Sequence, residues 1–99
     1  SVQALKNGQV DAVNLFTTDP SVAANGFVIL SDPKSLFAAQ NVVPLITKSK
    51  VTPTITAALD AISAKLDTAT LGLLVKEVVV DKKDASAVAK EFLTKNNLG

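Results

Sequence analysis

The sequence predicts an α/β chain in which short strands come first and helices follow. Two observations carry this expectation. In the first half, short apolar runs at Val10–Phe16, Phe27–Leu30 and Gln40–Lys48 are separated by breaks rich in Gly, Pro, Asp and Asn, the pattern of short extended segments. In the second half, apolar residues recur at three- and four-residue spacing, the period of a helix with one packed face.

The opening "SVQALKNGQVDA" reads as a helix already under way. Val2 and Leu5 lie three apart, Gly8 is placed to end the helix, and no N-cap precedes them. The chain is therefore expected to be cut from something longer. Val10, Ala12–Val13 and Leu15–Phe16 then suit a short strand buried on both faces. Asp19-Pro20 supplies a helix N-cap and a proline at the first helical position, so Ser21–Ala24 should form one or two turns closed by Asn25-Gly26. Phe27–Leu30, "FVIL", is a second strand, stopped by Ser31-Asp32-Pro33. Gln40–Lys48 is a third extended segment, and Pro44 forces it to an edge or to a crossing between substructures. The three runs lie too far apart for two-residue hairpins.

Thr52-Pro53 repeats the cap-and-proline signal, and Ile55, Leu59, Ile62 and Leu66 form one apolar stripe behind it. Asp67 or Thr68 starts the next helix, with Leu71, Leu74, Val75 and Val78 on its inner face. Three consecutive valines in "VVVDKKD" (Val78–Asp84) suit an extended connector, its lysines solvated. Asp84 caps a last helix whose Val88, Ala89, Phe92 and Leu93 face inward, ending at Asn96-Asn97 and Gly99.

Composition narrows the function classes. A chain of 99 residues is one domain at most and buries only roughly 60–70% of its unfolded surface. The ten basic residues are all lysines, scattered among nine acids for a net charge of +1, so no basic patch or aromatic platform marks a nucleic-acid partner. The absence of Cys and His removes a disulfide framework, thiolate metal sites and the commonest general base. No nucleophile–base or metal-ligand spacing appears among the remaining residues, which places an enzyme last. No apolar run approaches the roughly 20 residues that span a bilayer, and nothing resembles a signal peptide.

Three phrases resemble a known family in consistent order and spacing along nearly the whole chain: "NGQVDAVNLFTTDPSVAANGFVIL", "DPKSLFAAQNVVPLI" and "VDKKDASAVAKEFLTKNNLG". They look like the C-terminal third of the substrate-binding proteins of ABC transporters that import glycine betaine, choline, carnitine and related osmoprotectants. The resemblance implies a two-lobed periplasmic-binding-protein-like (type II) fold, with residues 1–39 ending the second lobe and crossing over, and residues 40–99 returning to the first. It implies an extracytoplasmic protein, periplasmic or lipid-anchored, that needs no cofactor and delivers a quaternary ammonium or other small polar solute to a membrane permease.

The resemblance further implies that the stretch Asn14–Asp19 and the return near Gln40–Pro44 face the ligand cleft, so Asn14, Phe16, Thr17, Thr18, Asp19, Gln40 and Asn41 are the candidate site. A quaternary ammonium donates no hydrogen bond and is held among aromatic faces. The family often carries Tyr where this chain has Phe16, and an aromatic where it has Gln40; Phe16 keeps a π face, whereas Gln40 and Asn41 offer amides. Each residue also has a plainer role. Asp19 is a helix cap, Thr17 and Thr18 are turn residues, Phe16 is packing material, and Asn14 must find partners if buried. A second function class stays open, an assembly module in which the chain's exposed apolar faces pair with another copy, as a homodimer, or with the missing lobe. The chain alone is expected to bind solute poorly.

Overall fold

The computed structural model describes all 99 residues and is helical throughout its regular parts. Its helices are α1 (Val2–Lys6), α2 (Pro20–Ala24), α3 (Pro53–Ser63), α4 (Thr68–Val79) and α5 (Ala85–Lys95), with one 3-10 turn at Lys48–Lys50. None of the three expected strands forms, so the α/β expectation is corrected for the chain as it stands. The reason lies in pairing. All 48 backbone hydrogen bonds join residues six or fewer apart, so no ladder links one apolar run to another. A β-branched run favours a pleated surface, but a strand exists only when a neighbour satisfies its N–H and C=O groups. Within Val10–Phe16, Val13 and Leu15 are half-buried while Asn14 and Phe16 face solvent, one packed face rather than two.

The helix boundaries, by contrast, are set locally. Asp19 Oδ1 accepts from the Ser21 N–H at 2.9 Å, Thr52 Oγ1 from Ile55 at 3.2 Å, Asp67 Oδ1 from Thr70 at 2.7 Å and Asp84 Oδ1 from Ala87 at 2.9 Å. Each carboxylate or hydroxyl thereby satisfies one of the N–H groups that a helix start leaves without a partner. α1 and α2 close on Gly8 and Gly26, both in the left-handed region at φ 67° and 64°. In α2 the Gly26 N–H reaches the Ala23 carbonyl and the Phe27 N–H the Val22 carbonyl, at 3.2 and 2.9 Å, which is a Schellman closure. α5 ends in the same way at Asn97 (φ 56°), with the Leu98 N–H bonded to the Leu93 carbonyl at 2.8 Å.

α4 is the packing centre, touching both α2 and α5. Its Leu71, Leu74, Val75 and Val78 are half-buried, as their spacing predicts. The helix also runs on through Val78 and Val79, where an extended connector was expected. Valine's helix cost is at most roughly 0.7 kcal/mol per residue. Packing of Val78 outweighs it, and two ion pairs fold the following turn back: Lys76 Nζ to Asp81 at 3.0 Å and Lys83 Nζ to Glu77 at 2.8 Å. The lysines of this turn are therefore not both merely solvated. Hydrogen bonding to Glu77 and its charge, with Glu91 and Asp81 adding, hold the Lys83 ammonium above its ordinary range.

With α4 as its main helical neighbour, α5 buries Val88 to 4% exposure, half-buries Phe92 and Leu93, and leaves Ala89 in solvent, against the inward position expected for it. Val88 is the one fully buried residue of the chain. The accessible surface of 8119 Å² compares with about 5,400 Å² for a compact chain of this mass. The radius of gyration, 16.9 Å, likewise exceeds the roughly 13 Å of a compact chain of this length. The longest exposed stretch is one arm: every residue from 28 to 58 is exposed.

Candidate functional site

The Thr17-Thr18-Asp19 turn is where the first half of the chain meets the helical half. The Asp19 N–H donates to the Phe16 carbonyl at 2.9 Å, which tightens the turn and delivers the chain into α2. Gly72, on α4, lies against this turn, and a Cβ built there would sit 4.0 Å from the Thr18 Cα. Helix α4 and the turn thus pack backbone to backbone.

Beside this contact lies an open groove of ≈ 540 Å³. Its lining includes Phe16, Thr18 and Asp19 of the turn, Ala24 and Asn25 at the α2 end, and Val75 and Val79 of α4. Phe16 is 72% exposed, so the residue is not used up in packing. Asp19 is half-buried at the helix start. The Ser21 hydroxyl, beside the carboxylate though outside hydrogen-bond geometry, and the Ser21 N–H that donates to it hold Asp19 below the usual carboxylate range; partial burial works weakly the other way. Ser21 Oγ is buried and has no hydrogen-bond partner in the chain. Asn25 Nδ2 donates to the Ser21 carbonyl at 2.7 Å, which fixes the amide of this groove-lining residue.

Of the seven candidate residues, the fold brings Phe16, Thr18 and Asp19 together in this groove. Asn14 and Thr17 are exposed next to it without lining it, so the condition that a buried Asn14 would need partners does not arise. Gln40 and Asn41 are exposed on the arm and do not enter the groove. The sequence reading named Val75 only as the inner face of its helix and did not place Ser21, Ala24, Asn25 or Val79 in a site. Reading "VVV" as an extended connector hid the α4 wall, and the i, i+4 spacing of Val75 and Val79 was the signal that could have found it.

The groove has one carboxylate, an exposed aromatic and apolar α4 side chains, and its single acid does not converge with others on a metal-sized point. No helix is long and apolar enough to cross a membrane. A family model, the substrate binding domain of ABC-type glycine betaine transport system, matches residues 1–95. The chain belongs to this family, OpuAC. OpuAC domains are transport binding modules, not catalysts. Among curated relatives, the carnitine transport binding protein OpuCC of Listeria monocytogenes serotype 1/2a (strain 10403S) is 31% identical over 96 residues, covering 95% of this chain and 31% of the relative. A second OpuCC from Listeria monocytogenes aligns with the same identity and coverage. The chain thus spans about a third of the length of the OpuAC-related proteins it matches. No solved structure is a significant match to it.

Proposed function

We propose that this chain supplies part of the solute cleft of an ABC importer's binding protein, which captures glycine betaine, carnitine or a related quaternary amine outside the cytoplasmic membrane and hands it to the permease. The observation that carries the reading is the OpuAC match over residues 1–95. In the two-lobed protein so envisaged, residues 1–39 end the second lobe and cross over, and residues 40–99 return to the first.

The groove chemistry supports it. A quaternary ammonium is weakly hydrated and lacks an N–H, so it gains from a π face and from a nearby negative charge rather than from acceptors. Phe16 offers the face and Asp19, held ionised, the charge. Gln40 and Asn41 would then act from the arm as amide donors toward the solute's carboxylate. A groove this open cannot enclose a solute by itself; the cleft needs the opposing lobe, whose closure is driven by binding energy.

The test is titration calorimetry on a protein of the relatives' length that carries this chain, with glycine betaine, carnitine and choline. Saturable binding of at least one is expected, and Phe16→Ala should weaken it roughly 2- to 30-fold, the value of one cation–π contact. No binding of any of the three, or of common polar solutes, would sink the proposal. The 99-residue chain should show no ligand-dependent rise in melting temperature, because mass action requires a formed site.

A further inference from the structure

The chain holds two Asn-Gly pairs, Asn7-Gly8 and Asn25-Gly26, and each closes a short helix. Asparagine before glycine is prone to lose its side-chain amide, because the glycine nitrogen reaches the side-chain carbonyl carbon with no Cβ in the way. The backbone does not tell the two pairs apart. Asn7 has φ −87° and ψ 2°, Asn25 φ −107° and ψ 5°. Gly8 and Gly26 both lie in the left-handed region, and their N–H groups donate at 3.2 Å to the Leu5 and Ala23 carbonyls. The side chains differ. Asn7 is exposed, and its Oδ1 accepts from Gln3 Nε2 at 2.8 Å, one turn back on α1. That bond draws electron density from the Asn7 Cγ and offers a donor to the oxygen on which negative charge collects when the carbon is attacked. Asn25 is half-buried, and its Nδ2 donates to the Ser21 carbonyl at 2.7 Å. Here the hydrogen bond holds the nitrogen that would have to leave, and leaves the carbonyl unactivated.

We propose that Asn7 is a site of spontaneous deamidation activated by Gln3, and that Asn25 is its protected counterpart. The Gly8 nitrogen gives its proton to solvent hydroxide and bonds to Asn7 Cγ. The Cγ–Nδ2 bond breaks, and the amide nitrogen takes a proton from water and leaves as ammonia. Water then opens the cyclic imide at either carbonyl, giving aspartate, or isoaspartate where the chain runs on through the side-chain carboxyl. Nothing is oxidised or reduced. The carboxylate so formed cancels the chain's net charge of +1, and a chain at neutrality associates more readily. Gln3 and Asn7, like Ser21 and Asn25, lie within one helical turn of each other, so neither contact depends on a residue outside its own turn. The proposal does not rest on the solute-binding reading, and either can fail alone.

The experiment is a timed incubation of the 99-residue chain at mildly alkaline pH, read by tandem mass spectrometry of the intact chain, whose fragment ions separate residue 7 from residue 25. Asn7 should convert roughly tenfold or more faster than Asn25, since one hydrogen bond assists the first and another must break at the second. Gln3→Glu keeps the side chain's shape without the donor, and Gln3→Leu removes its polarity. Each should slow Asn7 by roughly 2- to 12-fold, the rate equivalent of one net hydrogen bond, and leave Asn25 unchanged. Far-UV circular dichroism checks that the helices survive in both variants, Gln3 being exposed. In concentrated urea both contacts are gone, and Asn7 should lose most of its lead. That arm separates the folded contacts from the neighbouring residues Lys6 and Ala24, which unfolding leaves in place. Native rates that are equal or favour Asn25 would overturn the proposal. So would failure of either Gln3 variant to slow Asn7, or a lead that persists undiminished in urea.

Discussion

Replacing Gly72 by alanine should stabilise the chain. Gly72 lies in the interior of α4 with a right-handed backbone, where glycine costs about 0.8–1.0 kcal/mol relative to alanine because its unfolded state is freer. The substitution adds one methyl, and the nearest foreign atom it would meet is the Thr18 Cα at 4.0 Å, an ordinary van der Waals separation. No steric penalty therefore offsets the propensity gain, and the small contact with the turn adds to it. A gain of about 1 kcal/mol corresponds to a rise of roughly 4–8 °C in melting temperature for a chain of this size. Thermal unfolding followed by far-UV circular dichroism reads it directly. Gly72→Leu is the companion variant, because a larger side chain must displace the Thr17–Asp19 turn and should lose the gain. A lower melting temperature for Gly72→Ala would mean that α4 and the turn sit closer than the contact described, and the groove geometry built on that contact would fall with it.

Three further outcomes follow from individual residues. Thr52→Ala removes the hydroxyl that accepts from Ile55 and should cost about 1 kcal/mol, with faster amide exchange confined to the first turn of α3. Val88→Ala empties part of the one fully buried site and should cost about 2 kcal/mol, read as a fall in the urea midpoint with little change in slope. Asp19, Asp32 and Asp67 all have carboxylates held below their ordinary value, chiefly by Ser21, by the Phe37 N–H and by the Thr70 N–H respectively. Their contributions are complete above the free carboxylate value of about 3.9 and are lost as the pH falls through the lower folded values. Carboxyl titrations by NMR should place all three midpoints below about 3.9, and helicity should decline on acidification through that window; midpoints at or above about 3.9 would refute the assignment.

What was legible in the sequence and what was not divides by the range of the forces involved. The cap at Asp19 needs only Ser21, two residues away, and those at Thr52 and Asp84 need only Ile55 and Ala87, three residues away. Such contacts are written into the neighbouring letters. The stripe Leu71, Leu74, Val75 and Val78 follows in the same way from helical period alone. Val79 marks where that reading stops: expected in an extended connector, it continues α4 into a turn held by the Lys76–Asp81 and Lys83–Glu77 pairs.

Phe16 and Asp19 were identified from their residue types and from family resemblance, but their meeting with Val75 and Val79, far along the chain, depends on how α4 seats against the turn at Gly72. The strands are the clearest case. "FVIL" and "VVPLI" hold a β preference that local chemistry cannot realise, because a strand's hydrogen bonds belong to its neighbour. By itself, the sequence determined the helices, their ends apart from the last turn of α4, and the family, since these rest on contacts within a turn or on the order of residues. Only the tertiary structure decided which apolar runs are packed, which edges stay open and which side chains share the groove, because those depend on what lies across space.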